Sequence, residues 1–350
     1  MEKLMTNSSF TIVGENIHTT RVLRTDGKRV TKDESGTEFV NYRDINGDIS
    51  FMHIPDSFKD TQVYKQGRVK HFMIAVTLGM SDSAEERIQG ENYILAEIQR
   101  QESKGSHFLD LNVDEISYKI DIQKAAIAWL VEFYSARAKV PPSIDSSSEE
   151  IIQWGLETYK NLGSTQGSPM VNSASLERIS VLDLVAGTDS SVIVTAAGSD
   201  AMPSEVSDRV SNVSQMIEEC LQRGIPRSKI YVDALVFPIS VDQNFGNHYL
   251  ESVTEIRRQF GSEIHITGGL SNVSFGLPLR RLINDTFIRL SIEAGVDSAI
   301  LNPVESDLGR IFDLDMESER VQTAINMLTG KDEYCMDFLG KYREGRLSVS

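Results

Sequence analysis

Cysteine is nearly absent: Cys220 and Cys335 are the only two in 350 residues. A disulfide framework is excluded in practice, no Cys/His group has zinc-site spacing, and no metal is expected. Cys220 shares an apolar stripe with Val206, Val210, Val213 and Ile217, the pattern of a buried core thiol. Long apolar runs are also missing. None approaches the roughly 20 residues that span a bilayer, so no membrane association is expected. Met1–Phe10 lacks the charged-then-apolar order of an export signal, and the expectation is a soluble cytoplasmic protein. Basic charge is in deficit, 35 Lys and Arg against 51 Asp and Glu, for a net −16. Such a surface repels phosphate backbones and excludes nucleic acid as a partner. No activated Ser, Cys or Lys is apparent, and the six histidines are scattered.

Hydrophobic residues make up 40% of the chain, enough for a full core. Eight short apolar, mostly β-branched segments read as strands: Phe10–Glu15, Phe108–Val113, Pro142–Ser146, Pro169–Asn172, Ser191–Thr195, Ile230–Val236, Glu263–Thr267 and Ser298–Asn302. Amphipathic stretches separate them. Ser83 with Glu86, and Ser147 with Glu150, have capping-box spacing. Ile122, Ala126, Trp129, Leu130 and Phe133 fall on one helical face. A further helix is expected from Pro203 to Arg223, stopped by Gly224, and another from near Pro278 to Glu293. Strand then helix, eight times, predicts a (β/α)8 TIM barrel of class α/β, one domain over residues 1–350. An open doubly wound sheet would show the same alternation. Residues 24–82 form a long insertion after the first strand. Its Thr-Asp-Gly (25–27) and Ile-Asn-Gly-Asp (45–48) turn signals predict one or two hairpins, either a decoration or a cap or interface element.

The strand ends are polar: Glu15, Asp110 with Asn112, Asp145, Asn172, Thr195, Asp233, Asn272 in the loop after the seventh strand, and Asn302. In a barrel these ends share one mouth. Any one could be a helix cap or turn residue, but together they describe a pocket of carboxylates and amides with almost no Lys, His or Cys. Such a pocket suits a neutral, hydrogen-bonding heterocycle better than a phosphate. His18, at the exit of strand one, reads as a rim residue.

At these positions the sequence resembles the methyltetrahydrofolate:corrinoid methyltransferases, which include the folate-binding module of cobalamin-dependent methionine synthase. The matching stretches are Gly-Glu-Asn-Ile-His (14–18), Leu-Asp-Leu-Asn-Val (109–113), Ile-Asp-Ser (144–146), Met-Val-Asn-Ser (170–173), Tyr-Val-Asp-Ala-Leu (231–235) and Gly-Leu-Ser-Asn-Val-Ser-Phe-Gly (269–276). Leu-Ile-Asn-Asp-Thr-Phe (282–287) and Tyr-Cys-Met-Asp-Phe (334–338) extend the match. The resemblance implies that Asp145, Asn172 and Asp233 bind the pterin ring and that Asn272 hydrogen-bonds N5, the methyl-bearing nitrogen. Asp110 and Asn112 match a pair near the pocket floor. Glu15 and Arg280 join the folate-binding residues. Asn16 and His18 depart from the Gly-Glu-Arg-Ile-Asn usual in the family, and Thr195–Gly198 lacks a methionine often found there.

The implied reaction moves the N5-methyl group of methyltetrahydrofolate to or from the cobalt of a corrinoid (cobalamin), within one-carbon metabolism. The corrinoid would sit on a separate corrinoid-binding protein, and the resemblance implies a homodimer. The chemistry agrees with the residue types. A carboxylate accepts two parallel N–H bonds from a pterin edge. An asparagine can hydrogen-bond N5 as charge develops there, although it cannot supply the proton. Dihydropteroate synthase is an alternative, but it needs basic residues for a pyrophosphate, and the strand-seven loop has none before Arg280. A non-catalytic folate-binding subunit is the other.

Overall fold

The structure, a computed structural model, describes residues 10–347. The reading of the first nine residues as lacking an export signal lies outside them. The chain divides into two compact units, one spanning Gly14–Asn172 and the other running from Ser173 onward together with the residues up to Val13. Strands β1 (Thr11–His18) and β9 (Met170–Ala174) each contribute to both.

In the first unit, β1 is followed by β2 (Val22–Arg24), β3 (Val30–Lys32), β4 (Glu38–Arg43), β5 (Ile49–His53) and β6 (Arg68–Lys70). β3, β4 and β5 form an antiparallel sheet. The β4–β5 hairpin turns at Asn46-Gly47, with Gly47 at φ +89, where a side chain would be strained. β2 pairs antiparallel with β6. The helix His71–Gly79 then crosses the helix Ala84–Glu102. They meet at Gly90, where a Cβ would lie 2.3 Å from the Ala75 carbonyl oxygen, so only glycine permits this approach. Ser83 caps the second helix by accepting from the Glu86 N–H, but the Glu86 carboxylate accepts from Ser81 rather than closing the box. β7 (Phe108–Asn112) and β8 (Pro142–Asp145) follow, paired in parallel with each other, and β8 pairs in parallel with β9 on its other edge. Ile17, Phe72, Ile94, Leu109, Leu130 and Ile144 belong to one buried apolar cluster beneath them.

The second unit holds β10 (Ser191–Thr195), β11 (Ile230–Asp233), β12 (His265–Thr267) and β13 (Ser298–Leu301). β10, β11 and β12 pair in parallel. Cys220 is buried, as its stripe predicted, and burial pushes its thiol up to about 12.

The strand order β12-β11-β10-β9-β8-β7-β1-β13 is sequential apart from the last strand, which flanks the first. A doubly wound sheet reverses its order at a switch point; this one does not. The class is α/β, (β/α)8, and each of the eight segments read from the sequence overlaps a strand, although β1 and β9 run past the expected ends at Glu15 and Asn172 to His18 and Ala174. Helix starts were read less well. The helix expected from Pro203 covers Val206–Gln222, because a reciprocal capping box between Glu205 and Asp208 sets its start. The box expected at Ser147 and Glu150 does not form: Ser148 occupies the N-cap without a side-chain bond. Ile122 lies 43% exposed, off the buried face of its helix.

Candidate functional site

In the first unit the polar residues at the ends of β7, β8 and β9 are tied to one another. Strand alternation puts Asp110 and Asn112 on one face of β7, while Leu109 and Leu111 face the apolar cluster. Asp145 sits directly opposite Asn172 across β8 and β9. The Asn172 amide donates to Asp110 at 3.1 Å, and the Asn112 amide donates to Asp145 at 3.0 Å. Asn112 also accepts from the Asp114 N–H at 3.0 Å, so this buried side chain is engaged as a brace on both sides. Asp114 in turn accepts from the Ser147 N–H at 2.8 Å. Burial first, and then the charge of Asp145, push the Asp110 carboxyl well above the ordinary carboxylate range.

His18 lies closer to this group than a rim residue would. Its Nε2 is 3.3 Å from Asp145 Oδ2. The Thr20 N–H donates to His18 Nδ1 at 3.2 Å, so Nδ1 carries the lone pair. In the neutral ring the proton is then on Nε2, pointed at Asp145. Glu15 is paired with Arg21 at 2.6 Å, and Arg21 also donates to the Glu15 carbonyl.

The second unit is built differently. Asp233 ends β11, with Thr195 beside it on β10 and Thr267 on β12. Its carboxylate is buried and accepts from the Leu235 N–H at 2.8 Å. Leu235 is held at φ +64, a left-handed conformation that costs a non-glycine residue on the order of 1 kcal/mol and that places this N–H on Asp233. Burial pushes the Asp233 carboxyl up to about 6. Among the described residues no side chain pairs with it.

Gly268 and Gly269 give Asp233 and Asn272 their room. A Cβ at 268 would lie 3.1 Å from both Asp233 Oδ1 and the Tyr249 hydroxyl; one at 269 would lie 3.0 Å from Asn272 Nδ2. Asn272 is exposed on the 3-10 turn Leu270–Ser274, and its amide has no partner among the described residues. Arg280 donates to Ser274 Oγ at 3.0 Å and to the Ser271 carbonyl at 3.0 Å, tying down the turn that carries Asn272. Asn302 accepts from the Val304 N–H, and Thr195 Oγ1 from the Ala197 N–H, both as turn residues. Sequence reasoning did not find Leu235, Tyr249 or Gly268; the Thr-Gly-Gly run at 267–269 was the available signal.

The family model for pterin binding enzymes matches residues 79–302, well over half of the chain. The chain belongs to this family. Within the pterin-binding span lie Asp110, Asn112, Asp145, Asn172, Asp233, Asn272 and Arg280, while Glu15 and His18 precede it. Among curated relatives, a methylcorrinoid:tetrahydrofolate methyltransferase of Eubacterium limosum is 29% identical over 65% of this chain and 79% of its own length. The methionine synthase of Mycobacterium leprae is 28% identical over 57% of this chain, a match to only 17% of that much longer protein. These relatives agree with the resemblance read from the motifs. Among solved structures, dihydropteroate synthase of Xanthomonas albilineans with 4-aminobenzoic acid is similar at TM-score 0.52 and 15% identity, covering 66% of this chain and 86% of that one. The same enzyme with 7,8-dihydropteroate gives 0.51 at 15%, covering 67% and 87%. At such identities the likeness is one of fold.

Proposed function

We propose that this pterin binding enzyme is a methyltransferase that moves the N5-methyl group between methyltetrahydrofolate and the cobalt of a corrinoid on a separate protein. The observation that carries the reading is the pair around Gly268-Gly269: a buried carboxylate, Asp233, with one backbone N–H, and an exposed amide, Asn272, with no partner among the described residues. A pterin edge offers an amino group and a ring N–H to the carboxylate. The Asn272 amide is left to hydrogen-bond N5, where it stabilises charge that develops as the methyl departs. Asp145 and Asn172 bind the remaining pterin edge, with Asp110 and Asn112 as their supports and Glu15 beside them. Arg280 acts by holding the Asn272 turn.

The corrinoid is a substrate here, supplying the cobalt that receives or gives the methyl. Met202, Val241 and Phe275, 68%, 76% and 65% exposed, lie in loops that follow β10, β11 and β12. Such an apolar lip suits a large partner face better than bulk water. In this reading the chain works as one barrel domain with residues 24–82 as an insertion, and as a cytoplasmic homodimer. A dihydropteroate synthase would need a free cation after the seventh barrel strand for pyrophosphate. Arg280 is instead bonded to its own loop.

The test is single-turnover methyl transfer from methyltetrahydrofolate to cob(I)alamin. Stoichiometric methylcobalamin is expected. Tight folate binding with no transfer to free or protein-bound corrinoid would reduce the chain to a folate-binding subunit.

A further inference from the structure

The insertion builds a second cavity that the methyl-transfer reading leaves unused. It lies between the β3–β5 sheet and the helix Ala84–Glu102 and has a volume of about 380 Å³, within the range of small-ligand sites. Its apolar surfaces come from Tyr42 and Tyr93, whose rings meet edge to face with centroids 4.9 Å apart, and from Ile49 and Ala96.

The charge on its walls runs against the chain's net −16. Three arginines, Arg29, Arg43 and Arg100, face one acid, Glu97. Glu97 is already spent: it takes Arg100 at 2.9 Å and the Asn16 amide at 2.7 Å. Arg29 and Arg43 have no carboxylate partner among the described residues, so two positive charges remain at the cavity.

Arg29 is also rigidly mounted. Its Nη2 donates to the Tyr93 hydroxyl at 2.6 Å and its Nε faces the Asn41 carbonyl at 3.4 Å. The Tyr93 hydroxyl, having accepted from Arg29, donates to His71 Nδ1 at 2.7 Å. His71 is buried, and burial followed by the Arg29 charge keep it neutral and therefore able to accept. The guanidinium is thus fixed through two buried rings, and its Nη1 has no protein acceptor among the described residues. Among the described residues Arg43 donates only to the Gly47 carbonyl, at 2.7 Å. Two anchored guanidiniums with unused donors above aromatic walls match a planar carboxylate on a flat body.

We propose that this cavity binds a small organic carboxylate with a flat apolar body, held by Arg29 and Arg43 and packed on Tyr42 and Tyr93. It stands independently of the methyl-transfer reading.

The experiment is calorimetric titration of the full chain with benzoate, with benzamide as the uncharged match and inorganic phosphate as the anion without a body. Saturable one-to-one binding of benzoate is expected, at least tenfold tighter than either control. Arg43→Gln, at an exposed position, and Arg29→Gln should each weaken it at least tenfold while methyltetrahydrofolate affinity stays unchanged. Because Arg29→Gln also frees Tyr93, Arg43→Gln is the variant that keeps the test sound if the former unfolds. Absence of saturable benzoate binding, equal binding of benzamide, tighter binding of phosphate, or wild-type affinity in Arg43→Gln would each overturn the assignment.

Discussion

The polar residues of the two units differ in whether they are already satisfied. In Gly14–Asn172 every candidate has a protein partner: Asp110 has Asn172, Asp145 has Asn112 and His18, and Glu15 has Arg21. In the unit from Ser173 onward, Asp233 has one backbone N–H and Asn272 has no side-chain bond among the described residues. A satisfied network is stiff and holds shape; a buried carboxylate left with one bond, as at Asp233, carries a cost until a ligand arrives, whereas the exposed Asn272 amide is solvated and free to bind. In the proposed function the first group therefore meets the pterin as a pre-oriented frame, and the second adds Asp233 to the binding and Asn272 to the chemistry.

The strongest way to break this contrast is at Asn272. Asn272→Ala should slow methyl transfer under folate saturation by a hundredfold to a thousandfold, about 3–4 kcal/mol, as for loss of a transition-state donor. Its thermal stability should stay near wild type, because an exposed unpartnered amide supports nothing. A wild-type single-turnover rate would remove Asn272 from the chemistry.

Asp233 gives the next largest effect, and its sign depends on pH. The folded carboxyl keeps its proton up to about 6, whereas the unfolded one releases it near 3.8. The folded state binds more protons across that window, so this residue's contribution to stability falls as pH rises from about 4 to about 6. Asp233→Asn should therefore be more stable than wild type at pH 7.5, by up to about 3 kcal/mol, and no more stable below pH 4. Denaturant melts at the two pH values check this. Methyltetrahydrofolate should bind wild type more tightly at pH 7 than at pH 5, since the pterin donors want the carboxylate.

Gly268→Ala should come next. The added Cβ presses on Asp233 Oδ1 and Tyr249 at 3.1 Å and turns the carboxylate. Folate affinity should fall about tenfold, roughly 1–2 kcal/mol, measured by fluorescence titration. The smallest effect is expected at His18→Asn, which removes a partly exposed contact to Asp145. A loss under about 1 kcal/mol in folate binding would fit an orienting role. A loss rivalling that of Asn272→Ala would erase the distinction between the two groups.

Much of this was legible in the sequence because buried parallel strands are written as apolar β-branched runs, and Asp110, Asp145 and Asp233 interrupt those runs. What was not legible is pairing. That Asn172 serves Asp110, or that Asn112 serves Asp145, depends on strand register, which the residue types alone leave open. His18 looked like a rim residue because its partner lies more than a hundred positions away in the chain. In the insertion, Asn46-Gly47 announced its hairpin locally, while the β2–β6 pairing joins segments too far apart to signal each other. The start at Glu205 was missed because proline is a stronger textual cue than an acidic capping pair.

That β2–β6 pairing has an engineering consequence. Val22 to Arg24 lie against Lys70 to Arg68, and the Thr25 N–H reaches the Gly67 carbonyl at 2.9 Å. Everything from 25 to 67 thus enters and leaves through one doorway about 5 Å wide. A tight turn of a few residues could close that doorway at little entropic cost, and the excised stretch could be spliced into another host through the same two ends. Such a transplant would carry Arg29 and Arg43 but leave Tyr93 behind, so the module is portable as a shape and not as a binding site.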